Sequence, residues 1–288
     1  MLTHLSIYLL LHPGTRYLIK TINKVMKIVV CIKQVPDTTE VKINPETNTL
    51  IREGVESMIN PFDMYAIEEA VRLKERFSGH TTVVTMGPPQ AENALREALS
   101  LGIDSAIHLC DRAFAGSDTW ATSLILAKAI EKIGVCDLVI CGKQASDGDT
   151  AQVGPGIATH LDLPQATYVR RVDSVHLDTT PKVMVVERLL EEGYELIELQ
   201  LPALITVVKE INEPRLPSLR GKMSSRKAEV TLWGNKDLGL SENQIGLNGS
   251  PTQVVKIFTP LSKEGGKVFG GEPQEVVDKL FEEIKDII

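Results

Sequence analysis

Four short apolar runs, separated by stretches of helical periodicity, constrain this chain more than any other feature. They are "KIVVCI" (Lys27–Ile32), "TTVVTM" (Thr81–Met86), "SAIHLC" (Ser105–Cys110) and "DLVICG" (Asp137–Gly142). None follows the strict apolar–polar alternation of a one-sided sheet, so each reads as a strand buried on both faces. Between them lie three helices. Asn60 is placed to cap the first and Pro61 to open it, Met64, Ile67, Ala70, Val71 and Phe77 share its inner face, and Gly79 marks its end. A second, from Pro88 to Leu101, turns Ala91, Leu95, Ala98 and Leu99 inward and stops at Gly102. Ser117 is expected to cap a third, which carries Trp120, Leu124, Ile130 and Ile133 and ends at Gly134. Strands alternating with helices of this length mean βαβ units. The fold class is α/β, a doubly wound, mostly parallel, Rossmann-like sheet.

The pattern changes after Leu163. "KVMVVERLL" and "YELIELQL" flank Glu191-Glu192-Gly193 as a β-hairpin extension, and "ALITVV" (Ala203–Val208) is one more strand. From Asn212 the periodicity fades, and the chain closes with an amphipathic helix, Glu272–Ile288, in which Val277, Leu280, Phe281, Ile284 and Ile288 share a face. Three segments are expected: an extension over residues 1–25 ahead of "MKIVVCIKQV", an α/β domain over 26–211, and a loop and C-terminal arm over 212–288 that suggests docking elsewhere.

Composition narrows the function. A net charge of −7 argues against a general nucleic-acid binder. No run approaches the ~20 apolar residues of a membrane span, and "LSIYLLL" (Leu5–Leu11) lacks the flanks of a secretory signal. Cys31, Cys110, Cys136 and Cys141 form no CxxC pair and sit in or beside apolar runs, as in a reduced, cytoplasmic protein. The six histidines have no metal-ligand spacing, and no nucleophile elbow is present. His160 reads as a surface residue; Trp120 and Trp233 read as core or interface.

The chemistry concentrates after the fourth strand, in "GKQASDGDTAQVGPG" (Gly142–Gly156). In open parallel sheets ligands sit beyond the carboxyl ends of the strands. Backbone amides of a glycine-rich turn and of the next helix attract phosphate. Gly142 and Gly148 would let the backbone approach a ligand, Ser146 and Thr150 offer hydroxyls, and Lys143 adds a cation. Asp147 and Asp149 would repel phosphate, so they are expected to cap the helix or to accept from ribose hydroxyls. Pro155 requires that helix to start late or to bend. Neither G-x-G-x-x-G nor G-x-x-x-x-G-K-[ST] is present, so an ordinary polar turn stays open on these residues alone.

Five landmarks in register resemble the beta subunit of electron-transferring flavoproteins: "VVCIKQVPD", "INPFD" followed by "AIEEAVRLKE", "TMGPPQ", "LVICGKQASDGDTAQVG" and "LPALITVVKEINEPR". The resemblance runs from Met26 to about Lys227, and less distinctly beyond. It implies an adenine-nucleotide pocket made of Cys31, the turn Asn60, Pro61, Phe62 and Asp63, Met86, and the loop Gly142, Lys143, Gln144, Ala145, Ser146, Asp147, Gly148, Asp149, Thr150, Ala151, Gln152 and Val153.

Two forms of the family exist. In the simple relay the beta subunit holds a structural AMP. In the bifurcating form it holds a second FAD that takes electrons from NADH. "DGDTAQVGPG" and "PDTTEVKINPETNTL" resemble the bifurcating type. The implied partners are an alpha subunit, a flavin dehydrogenase or reductase, and a low-potential acceptor such as ferredoxin or flavodoxin. "EPRLPSLRGKMSSRK" (Glu213–Lys227) holds five basic residues and one acidic. It resembles the loop that anchors partner dehydrogenases, with Arg215, Leu219, Arg220 and Lys222 as contacts. A non-redox nucleotide-binding module and a stand-alone nucleotide hydrolase remain as alternatives.

Overall fold

A computed structural model describes residues 25–37, 57–255 and 265–286. They fall into two compact units, one ending at Gln253 and the other beginning at Val254. Residues 1–24, most of the stretch after the first strand and Ile288 lie outside the described residues.

In the first unit the chain forms β1 (Lys27–Cys31), a small antiparallel ribbon of β2 (Gln34–Pro36) and β3 (Ser57–Ile59), α1 (Pro61–Phe77), β4 (His80–Met86), α2 (Glu92–Ser100), β5 (Ser105–Leu109), α3 (Thr119–Ile133), β6 (Leu138–Gly142) and α4 (Val153–His160). There follow β7 (Gln165–His176), β8 (Val183–Leu190), β9 (Gly193–Gln200), β10 (Ala203–Val207), α5 (Leu219–Ser225), β11 (Val230–Trp233) and α6 (Asn235–Leu238). One nine-stranded sheet has the order β11-β5-β4-β1-β6-β10-β7-β8-β9. It is parallel from β11 to β7, and β8 and β9 continue it antiparallel.

The strands without alternation are central because both faces are covered. Along β1, Ile28 and Val30 pack with α1 and α2, while Val29 and Cys31 pack with α3 and α4. Leu138, Val139 and Ile140 of β6 are fully buried; each such side chain contributes about 1.5–3 kcal/mol over leaving it in water. The helices differ from expectation at their ends. Asp118, rather than Ser117, caps α3, accepting from the Ala121 amide at 3.0 Å. The left-handed residue closing α1 is Ser78 (φ 51°), one before Gly79. Gly79 is needed for another reason: a Cβ there would sit 2.5 Å from the Met26 carbonyl oxygen.

Four strands escaped the sequence reading: the ribbon of β2 and β3, and β7 and β11 of the nine-stranded sheet. β7 is twelve residues long, and its register shifts between Val169 and Arg171 and again between Val172 and Ser174, so its apolar residues lose period two. β11 is a four-residue edge strand with Leu232 exposed. It joins β5, and residues 212–253, grouped with the C-terminal arm on sequence grounds, fall in the main unit. The basic stretch is not all loop. α5 is capped by the Ser218 hydroxyl, which accepts from the Gly221 amide at 3.0 Å, and it packs on α2. In the second unit, α7 (Pro273–Ile284) leaves Val277, Leu280 and Phe281 exposed.

A Cβ on Gly221 would lie 2.3 Å from the Ser100 carbonyl oxygen. Gly221→Ala is therefore expected to lift α5 from α2. Limited proteolysis should cut within residues 213–228 faster than in wild type, with little change in the melting of the sheet.

Candidate functional site at the sheet switch point

The sheet order creates one crevice. After β1 the chain continues toward β4, and after β6 it continues toward β10 and β7, on the other side. Adjacent strands whose connections leave in opposite directions open a gap at their carboxyl ends, where α/β sheets bind ligands. The Asn60–Asp63 turn spans this gap. Asp63 accepts from the Lys33 amide beyond β1 at 2.7 Å through Oδ2, and from the Gly142 amide at the end of β6 at 3.2 Å through Oδ1. Asn60 forms no side-chain cap on α1. Its Nδ2 instead donates to the Gln144 carbonyl at 2.8 Å, and its Oδ1 accepts from the Ser146 amide at 3.0 Å. Gly142 is required by this turn: a Cβ would lie 2.3 Å from Asp63 Oδ1 and 2.7 Å from the Phe62 carbonyl carbon. At Gly148 a Cβ would meet nothing within 4 Å, so close packing does not explain that glycine.

The loop's acidic residues are occupied, and neither caps α4. Lys33 Nζ donates to both carboxylate oxygens of Asp147, at 2.6 and 2.8 Å, and Gln144 Nε2 donates to Asp149. Asp149 and Ala151 take left-handed backbone (φ 53° and 54°), which turns the chain into α4. α4 starts at Val153, with no side-chain cap from Gln152, and Pro155 falls in the first turn, where its missing N–H costs no helical bond. The late start answers the difficulty Pro155 raised. It also leaves the first-turn amides at the carboxyl edge of β6 without a side-chain acceptor. Lys143 Nζ lies 5.6 Å from the Phe62 ring centroid and 5.0 Å from that of Tyr168.

Cys31 and Cys141 stand in register on adjacent strands, both buried. Contact with Cys31 and burial hold the Cys141 thiol well above its ordinary range, which suits an inert packing residue. Met86 ends β4 half-buried beside them. Cys31, Asn60–Asp63, Met86 and Gly142–Val153 thus gather at the carboxyl edge. The reading from residues missed Lys33, two positions past β1, and Tyr168, on the unrecognised β7. His160 packs edge-on to Trp120 at 4.7 Å, and Trp120 is half exposed.

Among the expected partner contacts, Leu219 is 80% exposed on α5, which also carries Arg220 and Lys222. Arg215 departs from expectation. Its guanidinium pairs with buried Glu68 at 2.8 Å and with Glu75 at 2.7 Å, because α1 presents both carboxylates to the incoming chain. It anchors the base of the segment.

Burial pushes the Asp63 carboxyl up to about 7, against the pull of the Lys33 amide, Asn60 and the Gly142 amide. Between the ordinary value of 3.8 and 7 the native state therefore holds a proton that the unfolded chain has released. This group's contribution is full below that range and fades as pH rises through it. Asp63→Asn sets an amide N–H against a backbone N–H and should cost about 1–3 kcal/mol. Urea unfolding should show the wild-type advantage narrowing from about pH 4 to about pH 7.5; a constant gap would contradict the buried proton.

Comparison with known proteins identifies the family. The electron transfer flavoprotein domain model matches residues 47–238. The chain is 54% identical over 260 residues to an electron transfer flavoprotein subunit beta of Thermoanaerobacterium thermosaccharolyticum, covering 90% of this chain and 98% of the relative. It is 49% identical over 263 residues to the caffeyl-CoA reductase-Etf complex subunit CarD of Acetobacterium woodii, covering 91% and 98%. It is 51% identical over 239 residues to protein FixA of Azotobacter vinelandii, covering 82% and 84%. With its sheet, its switch-point loop and this degree of identity, the chain belongs to the electron transfer flavoprotein family, among the beta subunits.

Proposed function

We propose that this electron-transfer beta subunit pairs with an alpha subunit as a cytoplasmic heterodimer of the bifurcating kind, and that its switch-point crevice holds FAD. The observation that carries this reading is the loop "DGDTAQVGP", in which Gly148 adds no side chain to open space. The 49% identity to a subunit of a caffeyl-CoA reductase-Etf complex supports it.

The residues present fit a nucleotide. Uncapped amides at the start of α4 face the carboxyl edge, where a phosphate is favoured. Asp147 and Asp149, which would repel it, are tied to Lys33 and Gln144. A flavin, when bound, supplies the chemistry of accepting electrons from NADH and passing them on. The chain's own part is to grip and orient. Asp63 and Asn60 fix the loop to β1 and β6, and Gly142 lets the turn approach.

Electrons would pass through the alpha subunit to a docked flavin dehydrogenase or reductase, and to a low-potential acceptor such as ferredoxin or flavodoxin. For docking we assign Leu219, with exposed Leu216 and Met223 near it and Arg220 and Lys222 around it. An apolar anchor in a basic rim suits a transient partner, because charge speeds encounter and the small buried centre gives grip.

Denaturing the purified heterodimer and counting what it releases tests the cofactor. Two FAD and no AMP are expected; one FAD and one AMP would replace bifurcation with simple relay. Leu219→Glu should lower electron delivery to the partner dehydrogenase at least about tenfold, with the released flavin unchanged. Delivery at the wild-type rate would remove Leu219 from the docking surface.

A further inference from the structure

Tyr168 is built in an unusual way. Its φ is +60°, a conformation that L residues with bulky side chains rarely take. It falls where the pairing of β7 with β10 shifts register, and its amide donates to the Thr206 hydroxyl at 3.2 Å. The left-handed residue and the irregular register coincide with a ring placed at the Lys143 ammonium, 5.0 Å from its centroid. Phe62 of the Asn60–Asp63 turn supplies a second ring at 5.6 Å. The lysine backbone is fixed as well, its amide donating to the Val207 carbonyl at 2.9 Å.

What holds Lys143 matters because of what does not. Among the described residues no carboxylate forms a salt bridge with it, although Asp147 and Asp149 are close in sequence; these are taken by Lys33 and Gln144. An ion pair would orient the ammonium and cancel its charge. Ring faces orient a cation through their quadrupole and leave the net charge in place. A half-buried cation held this way at the carboxyl edge is presented to an anion from elsewhere.

We propose that Tyr168 is a positioning residue for the nucleotide: with Phe62 it holds the Lys143 ammonium, un-neutralised, toward a phosphate of the ligand in the switch-point crevice. This rests on the nucleotide reading above. Tyr168 need not touch the ligand; it acts through Lys143.

The test uses the heterodimer stripped of nucleotide and titrated separately with AMP and with FAD, at about 0.05 M and about 0.5 M salt. Tyr168→Gly removes the ring and relieves the left-handed backbone, so weaker binding is not a backbone defect. It should weaken both ligands about tenfold at low salt and flatten the salt dependence as Lys143→Met does. The double variant should be no weaker than Lys143→Met alone. Tyr168→Phe, which keeps a ring face, should restore affinity and salt dependence together.

Wild-type affinity in Tyr168→Gly, or losses from the two substitutions that multiply, would overturn the positioning role. A loss confined to FAD would overturn the phosphate assignment, since AMP carries phosphate without a flavin ring. If the wild-type heterodimer binds neither AMP nor FAD, the nucleotide reading fails and takes this inference with it; intact wild-type binding with an indifferent Tyr168 sinks the inference alone.

Discussion

The Asp63 carboxyl group makes the interaction on which the site depends. It bridges the amides of Lys33 and Gly142, which belong to the two strands whose connections diverge. A carboxyl group only 5% exposed is costly to bury unless it is hydrogen-bonded. Two backbone donors and Asn60 offset that cost, yet burial still raises its proton affinity. The result is a fixed width for the crevice. Asn60 extends the same bracing into the loop by holding Gln144 and Ser146.

Charge placement explains how an acidic loop could serve the anionic ligand proposed for it. Lys33 occupies Asp147, and Gln144 occupies Asp149. Lys143, one residue beyond β6, is held by rings instead of carboxylates. The start of α4, without a side-chain cap, adds the partial positive charge of its free amides. As composition, two aspartates and one lysine are poorly suited to phosphate. The folded loop turns the balance around by pairing the wrong charges internally.

The parts of the fold legible in the sequence were those with one dominant signal. β1, β4, β5 and β6 are buried on both faces, and the helices between them carry clear inner faces. Strand β7 is hidden because its register slips scramble alternation, and β11 because four residues are too few to show a period. At the start of α3, Asp118 competes with Ser117 one residue later and makes the cap. Most of the candidate site was legible because the landmarks of Cys31, Asn60–Asp63, Met86 and the Gly142–Val153 loop, which the fold gathers at one edge, are contiguous motifs. Lys33 and Tyr168 were not, since a lysine after a strand and a tyrosine in an irregular one acquire meaning only when the chain brings them together. Arg215 shows the converse: a basic residue in a basic stretch, spent on Glu68 and Glu75.

The most direct measurement is a crystal structure of the assembled heterodimer with its native nucleotide retained. The adenine nucleotide should lie between the carboxyl ends of β1 and β6, with phosphate against the loop from Gly142 to Val153. A crevice filled by side chains and water, with the nucleotide bound elsewhere or absent, would contradict it.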